Sequence, residues 1–260
     1  MNRINIPGII LSWMVKLAFM LNLSEDLYIK RTFITNFKLF VVIIALYSHN
    51  MTYMVSPGII NIKMKKKKSL DQKSQTNFWN KYVSEKHGNI LYPPSAHWCS
   101  IKNAMVMRMD HFCPWTNNTI GLFNFKPFFL FCVYTFLTCA LTLINSFYRE
   151  HLCLEHHEYC IFEKYVFYLC IFNLITGTFG FIFTFVMIME CLKSIYYNAA
   201  YIDRLKKIPS SGNFNETFHL LLGKWFFIPS VRHEEINIFY EREIENTLSI
   251  LKKHDIYKDE

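Results

Sequence analysis

Asp110, His111 and Cys113 stand within four residues of one another, in Arg108-Met109-Asp110-His111-Phe112-Cys113-Pro114-Trp115, just ahead of a long apolar run. A thiol attacks only as its thiolate, and a free Cys with a pKa of ~8.5 is mostly protonated at neutral pH. An imidazole beside it takes the proton. A carboxylate fixes the tautomer of that imidazole and stabilises its charged form. Together the three side chains are what a covalent acyl-transfer site requires. A His and a Cys two apart also occur as chance neighbours, so the trio gains meaning only from the elements that hold it.

Those elements are greasy. Of the 260 residues 52% are hydrophobic and 17% aromatic, with 25 Phe, and only 18% are charged. That is too apolar for an ordinary soluble domain of this length, and the apolar residues cluster as in repeated membrane crossings. A net charge of +8 raises the question of nucleic acid. The Lys and Arg lie beside apolar runs, however, where they set topology and meet anionic head groups. The eight Cys form no disulfide framework, and several fall inside apolar runs as small hydrophobes. The first apolar run lacks a small-residue cleavage site and reads as a retained anchor.

Four runs are expected to span, each needing about 20 mostly apolar residues. They are Ile4 to Leu23, interrupted by Lys16; Phe37 to Val55; Phe128 to Phe147; and Tyr165 to Met189. Lys16 must face the bundle or reach an interface. Ser48, His49 and Asn50 in the second run face protein or water, with helix–helix hydrogen bonds the preferred reading. Ser56-Pro57-Gly58 ends that run. Gly177 and Gly180 in the fourth run let a neighbouring helix approach closely. Residues 61–126 hold eleven Lys or Arg against three Asp or Glu, including Lys65 to Lys68. By the positive-inside rule this segment is cytosolic. The stretch between the third and fourth runs carries Glu150, Glu155, Glu158 and Glu163 and suits the lumenal side. Both termini then lie in the cytosol. The division is 1–60 for the first two spans, 61–126 for a cytosolic domain, 127–189 for the last two spans and 190–260 for a tail. The fold class is an all-α integral membrane protein of four helices, with a divergent cysteine-rich domain between helices two and three.

Cys153, His156, His157 and Cys160 in the lumenal stretch have metal-ligand spacing, although a local disulfide or a solvated loop is the preferred reading. In the tail, Phe218 to Pro229 is too short to span and too apolar to hang in water, so a packed or interfacial segment is expected.

The stretch from Tyr92 to Leu143 resembles the DHHC-type (Asp-His-His-Cys) protein S-acyltransferases, the palmitoyltransferases. Val106 to Asn124 carries the resemblance, through Asp110-His111-Phe112-Cys113-Pro114-Trp115, Asn118, Gly121 and Asn124. Pro93-Pro94 and His97-Trp98-Cys99-Ser100-Ile101 are similar to the start of the family's cysteine-rich domain. Ser56-Pro57-Gly58 falls where the family has Asp-Pro-Gly. Asn215 is a possible counterpart of the Asn in its C-terminal motif, and Ser194 to Asp203 occupies the place of its Thr-Thr-x-Glu motif without matching it. The resemblance implies two structural zinc ions, held in closed four-ligand sites by six Cys and two His. Of those positions only Cys99 keeps its ligand. Trp98, Lys102, Met105, Phe112 and Thr119 stand at others and supply no usable zinc ligand at neutral pH.

The activity implied is transfer of a long-chain acyl group, typically palmitoyl, from acyl-CoA to cysteines of membrane-associated proteins. Cys113 would be the nucleophile, His111 its base, Asp110 the residue orienting His111, and Trp115 a residue at the mouth of an acyl cavity. The bilayer is an implied partner and nucleic acid is not. The family's common address is the Golgi or the endoplasmic reticulum. The rival reading is a catalytically silent scaffold of the same fold, against which the joint presence of Asp110, His111 and Cys113 speaks.

Overall fold

The computed structural model describes residues 6–27, 33–65, 73–155, 164–208, 213–230 and 234–254. Apolar composition makes the first two helices, α1 (Ile6–Leu27) and α2 (Phe33–Met54). At 1.5 Å per residue each is about 33 Å long. The chain leaves α2 at Pro57 and Gly58, whose φ of 97° only glycine adopts without strain. It then enters a small domain. In order this contains β1 (Ile59–Ile60), α3 (Lys73–Tyr82), β2 (Val83–Ser84), a 3-10 turn at Glu85–His87, β3 (Ile90–Leu91), β4 (Ala96–Cys99), β5 (Ala104–Met107), β6 (His111–Cys113) and β7 (Asn118–Ile120). Two long helices follow, α4 (Phe125–Glu155) and α5 (Lys164–Tyr196), and then α6 (Tyr201–Leu205), α7 (Phe214–Leu222) and α8 (Glu234–Lys253).

The domain corrects the all-α expectation. Its strands pair antiparallel in three small sheets, ordered β1-β5-β4, β2-β3 and β6-β7. Among the described residues no strand exceeds four residues, too few for a period-2 pattern to be read. All four residues of β5 are buried, so it shows no alternation at all. The chain is nonetheless mostly helical.

Among the described residues, Phe125–Phe147 and Tyr168–Tyr196 are long and apolar enough to cross a membrane, and Ile6–Leu21 is a shorter apolar stretch. In the bundle α4 lies between α2 and α5. The α4–α5 approach depends on missing side chains: a Cβ on Gly180 would sit 2.7 Å from Cys139 Sγ, and one on Gly177 would sit 3.3 Å from Leu143 Cδ2. Lys16 stays inside this greasy environment by lying over aromatic faces, 4.8 Å from the Trp13 ring centre and 5.6 Å from that of Tyr53. His156, His157 and Cys160 of the possible lumenal metal set lie outside the described residues, as does the Cys153 side chain; so do Lys66, Lys67 and Lys68.

The tail packs back on both halves. The expected apolar segment divides into α7, whose first turn includes Asn215 and is capped by Asn213, and a loop from Gly223 onward. Phe218 of α7 meets Phe226 of that loop edge to face at 5.6 Å. Helix α8 covers the domain, with Tyr240 against Phe123 at 5.2 Å and its hydroxyl donating to Ile59 O.

Candidate active site

The site is a hairpin seated on the end of a helix. Strands β6 and β7 pair His111 with Ile120, Phe112 with Thr119 and Cys113 with Asn118. Between them Pro114 to Asn117 turn, closed by Asn117 N donating to Pro114 O at 3.2 Å with Asn117 at φ 47°. An α-helix ends with unpaired carbonyls. The Asn118 amide satisfies those of α2, donating to Thr52 O, Tyr53 O and Val55 O at 2.8 to 3.2 Å. His49, one turn earlier in α2, donates from Nε2 to Trp115 O at 3.0 Å. Ser48 bonds within its own helix, to Ile44 O, so the preferred helix–helix reading does not describe His49 or Ser48. Gly121 lets the hairpin meet the chain leaving α2: a Cβ there would lie 2.5 Å from Pro57 O and 2.7 Å from Val106 Cγ1. Asn124 ties the hairpin to the start of α4, accepting from Gly121 N and donating to Thr119 O.

On this platform Asp110, His111 and Cys113 come together. His111 Nδ1 donates to Asp110 Oδ2 at 2.8 Å. The imidazole stands edge to face with Phe128 of α4, ring centres 5.3 Å apart. Burial works against charge on His111. Its hydrogen bonds to Asp110 and Cys113, and the attraction of both, outweigh that and hold its pKa up at about 9. Burial likewise pushes the Asp110 carboxyl up, but its bonds to His111, Tyr201 N and Ser194 keep it below the ordinary range.

Asp110 is held from the far side by residues that sequence reasoning missed. Ser194 Oγ donates to Asp110 Oδ1 at 3.0 Å, and Tyr201 N donates to the same oxygen at 2.7 Å. The segment Ser194 to Asp203 thus reaches the Asp110 carboxylate despite matching no motif. Its position is fixed twice more. The buried Arg108, at φ 49°, donates to Asn198 and to Ser194 O. His97 donates to Asp203 at 2.5 Å, and Asp203 in turn caps α6 through Ala200 N. No side-chain pattern could reveal the Tyr201 contact, because it is made by the backbone. The place of Ser194 to Asp203, where the family has its Thr-Thr-x-Glu motif, was the available signal.

Cys113 is 3% exposed and opens on an apolar cavity of about 630 Å³ between α1, α4 and α5. His111 and Trp115 line it with Cys113, and Trp115 meets Phe183 of α5 edge to face at 5.6 Å. The lining continues along α4 to Thr142, roughly 25 Å from the start of that helix.

The positions where the resemblance implies zinc make contacts of a different kind. Cys99 Sγ and Thr119 Oγ1 lie 3.0 Å apart in a hydrogen bond, both buried. Trp98 stacks on His87 with ring centres 3.5 Å apart and pairs across the sheet with the buried Met105. Phe112 sits opposite Thr119. Among the described residues no three His, Cys, Asp or Glu converge as a ligand set. These residues do not fit a closed four-ligand ion, and no chemistry at the site is routed through one.

Comparison with known proteins decides the family. Residues 80–208, about half of the chain, match the model of the DHHC palmitoyltransferase family. The chain belongs to the DHHC palmitoyltransferase family. Palmitoyltransferase ZDHHC7 of Mus musculus is 29% identical over 176 residues, 63% of this chain and 54% of that one. Shorter stretches are more alike: 42% identity over 63 residues with palmitoyltransferase ZDHHC2 of Mus musculus, 23% of this chain and 17% of that one. Palmitoyltransferase ZDHHC16A of Danio rerio is 45% identical over 57 residues, 22% and 15% of the respective chains. This DHHC chain therefore spans about half or less of the length of these relatives. The matched region begins before the β2-β3 sheet and ends after α6, so it takes in both the hairpin and the segment that grips Asp110.

Proposed function

We propose that this chain is a multi-pass membrane S-acyltransferase that moves a long-chain acyl group, palmitoyl above all, from acyl-CoA through Cys113 to cysteines of membrane-associated proteins. In this reading α1, α2, α4 and α5 cross an endomembrane of the Golgi or endoplasmic reticulum. The domain and both termini are cytosolic. The observation that carries it is the Asp110–His111 pair beside a cysteine that opens on an apolar cavity.

His111, the acid–base partner of Cys113, carries the proton as an imidazolium while the Cys113 thiolate acts as nucleophile. The thiolate attacks the thioester carbonyl carbon and the C–S bond to CoA breaks. CoA leaves as a thiol with the proton from His111. The acyl chain lies in the cavity, where burial is worth about 0.8 kcal/mol per CH₂, and Trp115 borders its entry. In the second step the neutral His111 takes the proton of an acceptor cysteine, whose sulfur attacks the acyl carbonyl and releases Cys113. Asp110 keeps the Nδ1 proton of His111 in place throughout, so Nε2 is the nitrogen that exchanges protons.

The test is incubation of the full chain with labelled palmitoyl-CoA. Hydroxylamine-sensitive label on the protein and its loss in Cys113→Ser are expected. An unlabelled wild type, or a variant labelled equally, removes Cys113 from the chemistry.

A further inference from the structure

The tail has a feature that acyl transfer does not call on. After Gly223 the chain runs beside the bundle as a short irregular loop, Trp225 to Ser230, instead of returning to the domain. Phe226 turns inward against Phe218, whereas Trp225, Phe227 and Ile228 are 74%, 60% and 58% exposed. The tip lies beside α2, and the two enclose an apolar groove of about 300 Å³ lined by Ile43, Ile44 and Tyr47 on one side and Phe227, Ile228 and Pro229 on the other.

The location of the tip gives its depth. Tyr47 and Ile43 lie roughly 10 and 16 Å back along α2 from its end at Met54, at 1.5 Å per residue. The contact on α4 agrees: Tyr134 donates to Phe227 O at 2.6 Å, and Tyr134 is about 13 Å from the start of that helix. The head-group layer of one leaflet is only about 6 Å thick. The bases of the loop are shallower, because Lys126 in the first turn of α4 donates to both Trp225 O and Ser230 Oγ.

Irregular backbone is tolerated at membrane depth only if its polar groups find partners in the protein. Here Trp225 O accepts from Lys126 and from Ile228 N, and Phe227 O accepts from Tyr134. Pro229 has no N–H to satisfy. The Trp225 and Phe227 carbonyls thus face protein while the side chains of the same two residues stay exposed. We infer that Trp225 to Pro229 form a hook that leaves the cytosol and inserts its tip into the acyl-chain region of the cytosolic leaflet. The surface it presents is continuous with the exposed apolar residues Ile43 and Tyr47 of α2, so the hook and α2 face one medium, lipid. The inference rests on the membrane-spanning reading above.

The experiment is power-saturation spin-label spectroscopy of the full chain in phosphatidylcholine vesicles, with oxygen and a water-soluble nickel chelate as relaxing agents. Labels are placed through Phe227→Cys on the hook, Ile182→Cys on the exposed face of α5 and Glu245→Cys on the exposed face of α8, with the unsubstituted chain as background. All three sites are exposed, so no core contact is lost. The expected oxygen-to-nickel accessibility ratio at 227 matches that at 182 and exceeds that at 245 several-fold. A lipid-like label at 182 with a nickel-accessible label at 227 overturns the hook and leaves the spans standing. A label at 227 shielded from both agents means that protein covers the tip, which also overturns it. Nickel access at 182 removes the membrane-spanning reading and the hook with it.

Discussion

His111 has a carboxylate on one ring nitrogen and a thiol within hydrogen-bond reach, and both favour its charged form. Its pKa of about 9 lies above the ordinary 6.5, so this ion-pair stability is fully present below about pH 6.5 and is lost as pH rises through about 9. Asp110→Asn removes the negative partner, and the His111 titration followed by NMR should move down from about 9 toward 6.5. His111→Ala should slow labelling of Cys113 by about 10²- to 10⁴-fold, the usual worth of a positioned acid–base group, as read from initial rates with labelled palmitoyl-CoA. The sequence showed the trio because its members lie side by side. It hid the grip on Asp110, since Tyr201 contributes a backbone N–H and Ser194 lies 84 positions away. His49 was visible only as a polar residue in an apolar run. Its partner, the Trp115 carbonyl, has no side-chain identity to read.

Asn118 and Gly121 help to seat the β6–β7 hairpin. Asn118 serves three carbonyls at the end of α2, and Asn118→Ala should cost about 1–3 kcal/mol for the buried acceptors left unpaired. Gly121→Ala should cost about 1–3 kcal/mol of overpacking, since the added carbon meets backbone, which yields less readily than a flexible side-chain end. Thermal unfolding in detergent measures both, and a melting temperature unchanged by Gly121→Ala would contradict the close approach to Pro57. Long elements were legible: each of the four apolar runs lies on a long helix, with ends differing by up to eight residues. The three sheets were not, because strands of two to four residues have no period. In the β1-β5-β4 sheet, β1 pairs with β5 across more than forty positions, a pairing decided by tertiary packing.

At the scale of the molecule, the domain is closed by helical elements from both ends of the chain: α2 under the hairpin, α6 behind Asp110, and α8 over Phe123 and Ile59. Incubation with a strong chelator should leave both melting temperature and acyl labelling unchanged. Thr119→Val, by contrast, should cost about 1 kcal/mol for the lost bond to Cys99. A large drop on chelation would mean that an ion holds the domain after all. The Cys99–Thr119 bond and the Trp98–His87 stack have a consequence beyond stability. Thiolates bound to metal can be stripped by oxidants or starved by a compartment that withholds the ion. A domain closed at these positions by a hydroxyl–thiol bond and stacked rings has no metal–thiolate bond there to lose. Under the proposed function, acyl labelling of the chain made in metal-depleted cells should then equal that of the chain made in replete cells.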